Sequence, residues 1–183
     1  MKRTALSGHP CSIAHALDVA GEWWTPLILR DIAYGIRRFV ELQADLGISA
    51  NVLADRLETL IANGILETHI YQQRPKRSEY HLTEKGTDLI PALLALMRWG
   101  DRWTWGNAGG PVSVSHRDCG REVTVEIRCP HCECSTAPAE LRAKLAEHVT
   151  HAPANGDPGY VSAQRLGAAE SGVELARVRK STA

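Results

Sequence analysis

Apolar residues recur at helical spacing through the first half of the chain. The clearest run places four side chains on one face of a helix: Leu53, Leu57, Leu60 and Ile61. Ser49 stands just before this run, where a serine hydroxyl can cap the free N–H groups of a helix, and Gly64 follows its end. The pattern predicts an amphipathic helix that buries its leucines and leaves the opposite face in solvent.

The same spacing predicts further helices before this one. The first covers residues 12–20, and the second follows Thr25-Pro26, with threonine as the N-cap and proline at the first helical position. The inward-facing positions of the second helix are Leu27, Ile28 and Ile32. Those of the third helix are Phe39, Leu42 and Leu46. This third helix stops at Gly47, so only a short turn separates it from the amphipathic helix that follows Ser49.

Trp23 and Trp24 precede the second helix. Large aromatic side chains are usually buried, so we expect both to anchor the core at this junction. The alternative is an aromatic box that holds a ligand.

Two strands are predicted after the amphipathic helix, over residues 65–72 and 78–82, with QRPKR as the connecting tip. Thr83 then caps a long last helix. Its apolar positions are Leu89, Leu93, Leu96, Met97 and Trp103. Pro91 lies inside this helix and should kink it, because proline has no N–H to donate to the carbonyl of Thr87.

Changes in composition divide the chain into three parts. Residues 11–106 form a domain of helices and a two-stranded wing, residues 112–150 a small Cys-rich, ribbon-like extension, and residues 151–183 a flexible tail. The predicted fold class is therefore mainly α (α+β).

Three segments in the second half of the chain have predicted structures of their own. Residues 112–134 alternate as strands do, around the cysteines, and residues 137–150 favour a short helix. Residues 173–178, in the tail, favour a transient helix.

The charges of the chain cancel. Its 21 lysines and arginines balance 21 aspartates and glutamates, so the molecule as a whole has no attraction for polyanions. A nucleic-acid footprint would have to be local and built from clustered cations.

No stretch predicts a membrane partner. The chain has no window of roughly 18 consecutive apolar residues, as a spanning helix requires. Its first residues, MKRTALSGHP, also lack the long apolar core of a signal peptide. We therefore expect a cytoplasmic protein.

The solvent-facing side of the amphipathic helix carries groups that can read base edges. The residues that point away from Leu53 are Asn51, Asp55, Glu58 and Ala62, flanked by Val52, Arg56 and Thr59. In a major groove, Asn51 can pair with adenine, Arg56 with guanine or a phosphate, and Asp55 with cytosine. The helix N-terminus at Ser49 offers N–H groups to a phosphate. Because carboxylates also repel a duplex, this face alone does not separate a reading head from any solvated helix.

A cationic tip lies in the predicted hairpin. Arg74, Lys76 and Arg77 gather there, and a projecting basic hairpin can reach phosphates or the minor groove. Arg37 and Arg38, at the start of the third helix, are placed to clamp a phosphate. An isolated basic turn is often merely solvated, whereas helix, wing and clamp together favour double-stranded DNA as the partner.

Three segments carry a resemblance to a known family: GEWWTPLILRDIAYGIRRFVEL, LGISANVLADRLETLIANGILE and YQQRPKRSEYHLTEKGTDLIPALLALMRWGDRW. Over residues 11–106 the chain resembles the HxlR family, a branch of the MarR-like winged helix-turn-helix regulators. The resemblance implies a homodimer on an inverted-repeat operator, with the first and last helices packed across the two-fold axis and recognition helices about 34 Å apart. Candidates for that dimer surface are Leu93, Met97, Trp99 and Trp103, with intramolecular packing as the alternative.

Cys11 matches the cysteine that many HxlR-like proteins carry just before the first helix. Several such proteins sense electrophiles or oxidants through it, so the resemblance implies redox sensing at Cys11. A helix N-terminus favours the thiolate, which is the form that oxidants attack. The alternative is a small buried residue without a switching role.

The remaining four of the five cysteines lie in the extension. His116 with Cys119, and Cys129 with Cys132, have the spacing of two metal-binding turns. Zinc takes four N or S ligands in a tetrahedron, so these side chains predict one structural zinc per chain. Competing ligands are His131 and Cys134. A reduced loop without metal is the alternative.

Together these patterns predict a sequence-specific DNA-binding transcriptional regulator, a homodimeric repressor that answers a small molecule or an oxidant, and not an enzyme. Two rival interpretations stand beside it. A winged helix can serve as a protein–protein interaction module, and Cys129 with Cys132 can act as a redox pair. The chain lacks the strand-then-helix context that such redox pairs need.

Overall fold

The computed structural model of the chain describes residues 6, 9, 11–146, 157, 164, 166 and 173–174. These residues fall into two compact units. Ala16–Val125 forms the helical unit, and the described parts of Met1–His15 and Glu126–Ala183 form the terminal unit.

The first helices lie where apolar spacing predicts them. They are α1 (Ser12–Ala20), α2 (Trp24–Ala33), α3 (Phe39–Leu46) and α4 (Ala50–Ala62). Ile28 and Leu29 of α2, Leu42 of α3, and Leu53 and Leu60 of α4 are at most 1% exposed and form the centre of the core. Burial of a side chain of this size stabilises a fold by about 1.5–3 kcal/mol, so the apolar stripes hold α2, α3 and α4 together.

The turn between α3 and α4 follows the predicted chemistry. Gly47 ends α3 with a left-handed φ of 64°, a conformation that glycine adopts without steric cost. Ile48 is buried, and the Ser49 hydroxyl accepts a hydrogen bond from the N–H of Val52 at 3.4 Å. The predicted N-cap is confirmed, and α4 begins at the residue after it.

The predicted wing is an antiparallel hairpin of β1 (Leu66–Gln73) and β2 (Lys76–Leu82). Its base is held by Leu66, which is 2% exposed and lies opposite Leu82. Backbone pairing continues beyond the hairpin, because the N–H of Tyr80 donates to the carbonyl of Arg37 at 2.8 Å. The segment before α3 is thereby fixed along one edge of the wing. The mainly α fold with a two-stranded wing is confirmed.

The predicted long last helix is instead divided. A single turn, α5 (Glu84–Thr87), is followed by α6 (Ile90–Gly100) and by a π-helical turn over Asp101–Trp105. Pro91 therefore does not kink a continuous helix. It lies in the first turn of α6, where its missing N–H has no helical partner to lose.

A close junction ties the wing to these last helices. The Thr83 hydroxyl accepts from the N–H of Gly86 at 3.1 Å and donates to the carbonyl of Gly64 at 2.6 Å. Gly86 is buried, and a Cβ at this position would lie 2.3 Å from the carbonyl oxygen of Ile65. Only glycine therefore fits between α5 and the start of β1. Thr83 is the predicted cap, although it caps the short helix.

Three further expectations about the helical unit are wrong. Trp23 is 89% exposed, so it does not anchor the core, whereas Trp24 packs against the core. The chain turns into α2 before Thr25, whose N–H donates to the carbonyl of Glu22, so Thr25 is a buried helical residue and not the N-cap. Ile61 is 38% exposed, because it lies at the edge of the leucine stripe of α4.

The extension contains little regular structure. Isolated bridges join Ser115 with Glu122 and Arg128 with Ser135, in place of continuous strands. The helix expected over 137–150 is not formed in its described part: Pro138–Glu140 is a 3-10 turn, and β3 (Arg142–Ala143) pairs with β4 (Val173–Glu174). The backbone at Leu141 is extended, so the helix does not continue beyond this turn.

Two expectations fall largely on residues that are not described. Residues 147–150 and most of the tail expected over 151–183 lie outside the described residues, and so does most of the helix expected over 173–178. Its first two residues form β4 and not a helix. Across the described ranges, no helix has the length and apolar character needed to span a bilayer.

Gly86→Ala is expected to destabilise the fold by about 2 kcal/mol or more, because the methyl group would collide with the backbone at Ile65. Gly100→Ala is the matched control: nothing lies within 4 Å of its Cβ position, and its backbone is helical. The control should gain about 0.5–1 kcal/mol. Urea denaturation of both variants measures the difference, and equal stabilities would contradict the close junction.

Candidate nucleic-acid interface

The outer face of α4 is bare. Four residues predicted to point away from the core are all exposed: Asn51, Asp55, Glu58 and Ala62. Val52 is 40% exposed beside them. This placement follows from the burial of Leu53 and Leu57, because residues on opposite sides of a helix cannot both face the core. The first turn of α4 therefore presents an amide, an apolar side chain and backbone N–H groups to solvent.

Arg56 differs from this group. Its side chain is only 19% exposed and lies against two carboxylates, at 3.5 Å from Glu22 and in direct contact with Asp55. Its guanidinium is thus largely neutralised within the chain. The sequence gives no signal for Glu22, because the contact joins the segment before α2 to the middle of α4.

The wing tip is a group of free cations. Arg74, Lys76 and Arg77 are exposed, and their side chains form no ion pair within the described residues. The tip is a tight connection between β1 and β2, in which the Gln72 amide donates to the carbonyl of Arg74 at 2.9 Å. Arg74, Lys76 and Arg77 are therefore held on a hairpin and not on a long loop.

The two arginines before α3 have different surroundings. Arg37 is exposed, and its backbone pairs with the wing. Arg38 donates from Nε to Glu79 at 2.9 Å, and its guanidinium lies 4.5 Å from the centre of the Tyr71 ring. The Glu79 carboxylate raises the pKa of Arg38. Arg37 is therefore the free cation, and Arg38 is held against the wing.

A groove of about 640 Å³ lies between the start of α3 and the wing. Arg38, Tyr71, Lys76 and Arg77 line it. Tyr71 was not predicted from the sequence. It lies at an irregularity in the β1–β2 register between Ile70 and Gln72, and such bulges redirect a side chain in a way that strand alternation does not reveal.

Cys11 is exposed and directly precedes α1. Its carbonyl accepts the N–H of His15 at 3.1 Å, so Cys11 takes the N-cap position of the helix. The expected placement at a helix N-terminus is correct, and the alternative of a buried cysteine is wrong.

The four side chains predicted to bind zinc divide between the two units, with His116 and Cys119 in one and Cys129 and Cys132 in the other. In the helical unit, His116 Nδ1 lies 3.3 Å from Cys119 Sγ. In the terminal unit, the backbone N–H of Cys132 and then that of His131 lower the pKa of the Cys129 thiol. Among the residues that the structure describes, no three His, Cys, Asp or Glu side chains are placed to hold a metal ion. The zinc site stays a prediction from spacing alone.

Comparison with known proteins identifies relatives of this chain. The family model for HxlR-like helix-turn-helix proteins matches residues 19–107. Over 121 residues the chain is 40% identical to Rv3095, an uncharacterized HTH-type transcriptional regulator of Mycobacterium tuberculosis, a match that covers 66% of this chain and 77% of that protein.

Two solved structures of candidate transcription factors are similar to this fold. For PA1607 the TM-score is 0.68 at 32% identity, covering 77% of this chain and 99% of that one. For PA1374 of Pseudomonas aeruginosa the TM-score is 0.55 at 34% identity, covering 75% and 94%. The similarity therefore extends over nearly the whole length of both solved chains.

Arg56→Ala is expected to lower the free energy of unfolding by about 1 kcal/mol or more, because it removes a packed side chain and its contacts with the Glu22 and Asp55 carboxylates. Arg77→Ala, at the exposed wing tip, should change it by less than about 0.5 kcal/mol. Chemical denaturation compares the two. If Arg56→Ala were as mild as Arg77→Ala, the arginine would be free to read DNA.

Proposed function

This chain belongs to the HxlR-like helix-turn-helix family of transcriptional regulators, and from that premise we propose that it is a homodimeric repressor of an inverted-repeat operator. One observation carries the proposal: the bare first turns of α4 and the unpaired cations of the wing tip belong to one compact unit. α4 would enter the major groove, and the wing would reach the flanking phosphates. The protein would act in the cytoplasm.

The residues of α4 divide into different roles. Asn51 is exposed in the first turn, where its amide can pair with adenine, and the neighbouring Val52 can contact a thymine methyl group. The helix N-terminus at Ser49 would bind a phosphate. Asp55 can accept from cytosine, while Arg56 would need to leave Glu22 to reach the duplex.

We assign the phosphate contacts to those cations that form no ion pair within the described part of the chain. Arg37, Arg74, Lys76 and Arg77 lie free of ion pairs among the described residues, so they can exchange water for phosphate at little cost. Arg38 is bound to Glu79 and would serve mainly to hold the start of α3 against the wing.

A second copy of the chain would cover the apolar surface of the first and last helices. Neither α1 nor α6 contains a fully buried residue, and Ile13 of α1 is 70% exposed. Trp99 and Trp103 are 64% and 68% exposed, which supports their assignment to the dimer surface. Leu93 packs against the core of its own subunit, so it contributes less to that surface.

Oxidation of Cys11 would control the operator complex. The thiol is exposed at the N-terminus of α1, a helix that we assign to the dimer contact. A mixed disulfide there adds bulk beside the two-fold axis and would change the spacing of the two α4 helices.

Arg77→Ala should weaken operator binding and reduce the slope of log K against log salt concentration by about 1, because one phosphate contact is lost. Lys144→Ala removes a charge from the terminal unit and should leave the slope unchanged. Fluorescence anisotropy from 50 to 200 mM salt measures both. A winged helix used only for protein contact would give the same slope for all three proteins.

Footprinting on the promoter regions that flank its own gene should protect two half-sites about 34 Å apart. Diamide, a thiol oxidant, should weaken this footprint. The Cys11→Ser variant should give the same footprint as the reduced wild-type protein, and diamide should not change it. A single protected half-site would contradict the dimer, and a diamide effect that persists in Cys11→Ser would contradict the thiol assignment.

A further inference from the structure

A cleft of about 350 Å³ lies in the helical unit, away from the outer face of α4. Its polar lining comes from Arg30 and Asp31 of α2, Asp45 of α3 and Asp101 at the end of α6. Its volume falls within the range of small-molecule sites in proteins. We call it the Asp31 cleft.

Asp31 is a buried carboxylate that this fold leaves incompletely satisfied. Its side chain is 1% exposed, and its Oδ1 accepts from Arg30 Nε at 2.7 Å and contacts Nη2 at 2.6 Å. No hydrogen-bond donor among the described residues reaches its other oxygen, Oδ2. A buried carboxylate oxygen without a donor costs free energy, and a donor brought by a ligand would remove that cost.

The charge of the cleft favours a cation. Three carboxylates line it against one guanidinium, and that guanidinium is already shared by Asp31 and by Asp45, at 3.3 Å. Burial raises the pKa of the Asp31 carboxyl, Arg30 opposes this rise, and the Asp45 carboxylate adds to it. Because the carboxylates of the lining outnumber its guanidinium, an incoming cation would meet an excess of negative charge.

The rest of the lining is apolar and in part aromatic. Tyr34 and Met97 form walls, and Val112 of the segment after the last helix completes them. The backbone at Gly110 approaches closely, since a Cβ there would lie 1.9 Å from Asp101 Oδ1. This segment therefore lies directly against a carboxylate of the cleft.

We propose that the Asp31 cleft binds a small organic cation, an amidinium or ammonium group on an aromatic body, that donates to Asp31 Oδ2 and lies near Asp101. The ring would pack on Tyr34, Met97 and Val112. Arg30 occupies Oδ1 of Asp31, which leaves Oδ2 as the acceptor for the ligand.

A cation bound in this cleft would change the affinity of the protein for DNA. The cleft joins α3, which opens the helix-turn-helix, to α6, which we assign to the dimer contact. This coupling rests on the proposed function, whereas binding of the cation does not.

Calorimetric titration of the full-length protein with benzamidine and with 2-phenylethylammonium tests the site. At least one should bind saturably, with a dissociation constant of about 1 mM or tighter. Benzamide, the neutral counterpart of benzamidine, should bind at least about tenfold more weakly, since it lacks the charge. Absence of saturable binding by both cations, or equal binding of benzamide, would overturn the proposal and leave water as the partner of Asp31.

Variants of single aspartates show where the cation binds. Asp31→Asn and Asp101→Asn should each weaken binding by about tenfold, whereas Asp88→Asn, an exposed carboxylate at the end of α5, should not. Asp101 is at the rim, so its variant stays informative if Asp31→Asn does not fold. An equal loss in Asp88→Asn would reject the cleft as the site.

Fluorescence anisotropy on the footprinted operator then tests the coupling between the cleft and DNA binding. An unchanged DNA affinity at saturating cation would reject this coupling but not the binding of the cation.

Discussion

Burial of the leucine stripe of α4 is the constraint on which the rest of the helical unit depends. Leu53, Leu57 and Leu60 are at most 2% exposed, so the rotation of α4 about its axis is fixed. A rotation that exposed one of these leucines would lose about 1.5–3 kcal/mol of burial. The opposite face, with Asn51 at its N-terminal end, is thereby obliged to lie in solvent. The candidate reading surface is a consequence of the core.

The wing depends on the same core through its base. Leu66 is buried at the end of β1, and the Thr83–Gly86 junction fixes the return of the chain against Ile65. The hairpin is therefore rigid where it leaves the core and charged where it ends. Arg38 and Glu79 form an ion pair at the side of the wing, which leaves the net positive charge at the tip.

The partition of charge explains how a chain with no net charge can bind a polyanion. Two carboxylates of the helical unit lie against specific arginines: Glu22 contacts Arg56, and Glu79 contacts Arg38. The wing tip has no such partners among the described residues. Asp31 and Asp45 share Arg30, and the remaining negative charge faces a cleft near the end of α3. The start of α3 thus lines a cationic groove, whereas Asp45 near its end lines an anionic cleft.

The sequence by itself determined α1 to α4, the turn at Gly47, the Ser49 cap and the hairpin. Each of these depends on residues within a few positions of one another, where apolar period and capping chemistry are sufficient. Tertiary structure alone decided the exposure of Trp23, the pairing of Arg56 with Glu22, and the burial of Asp31 with one free oxygen. Partner choice for a long or charged side chain depends on segments brought together from distant parts of the chain. Arg38 and Glu79, for example, are 41 residues apart, and no local pattern records their contact.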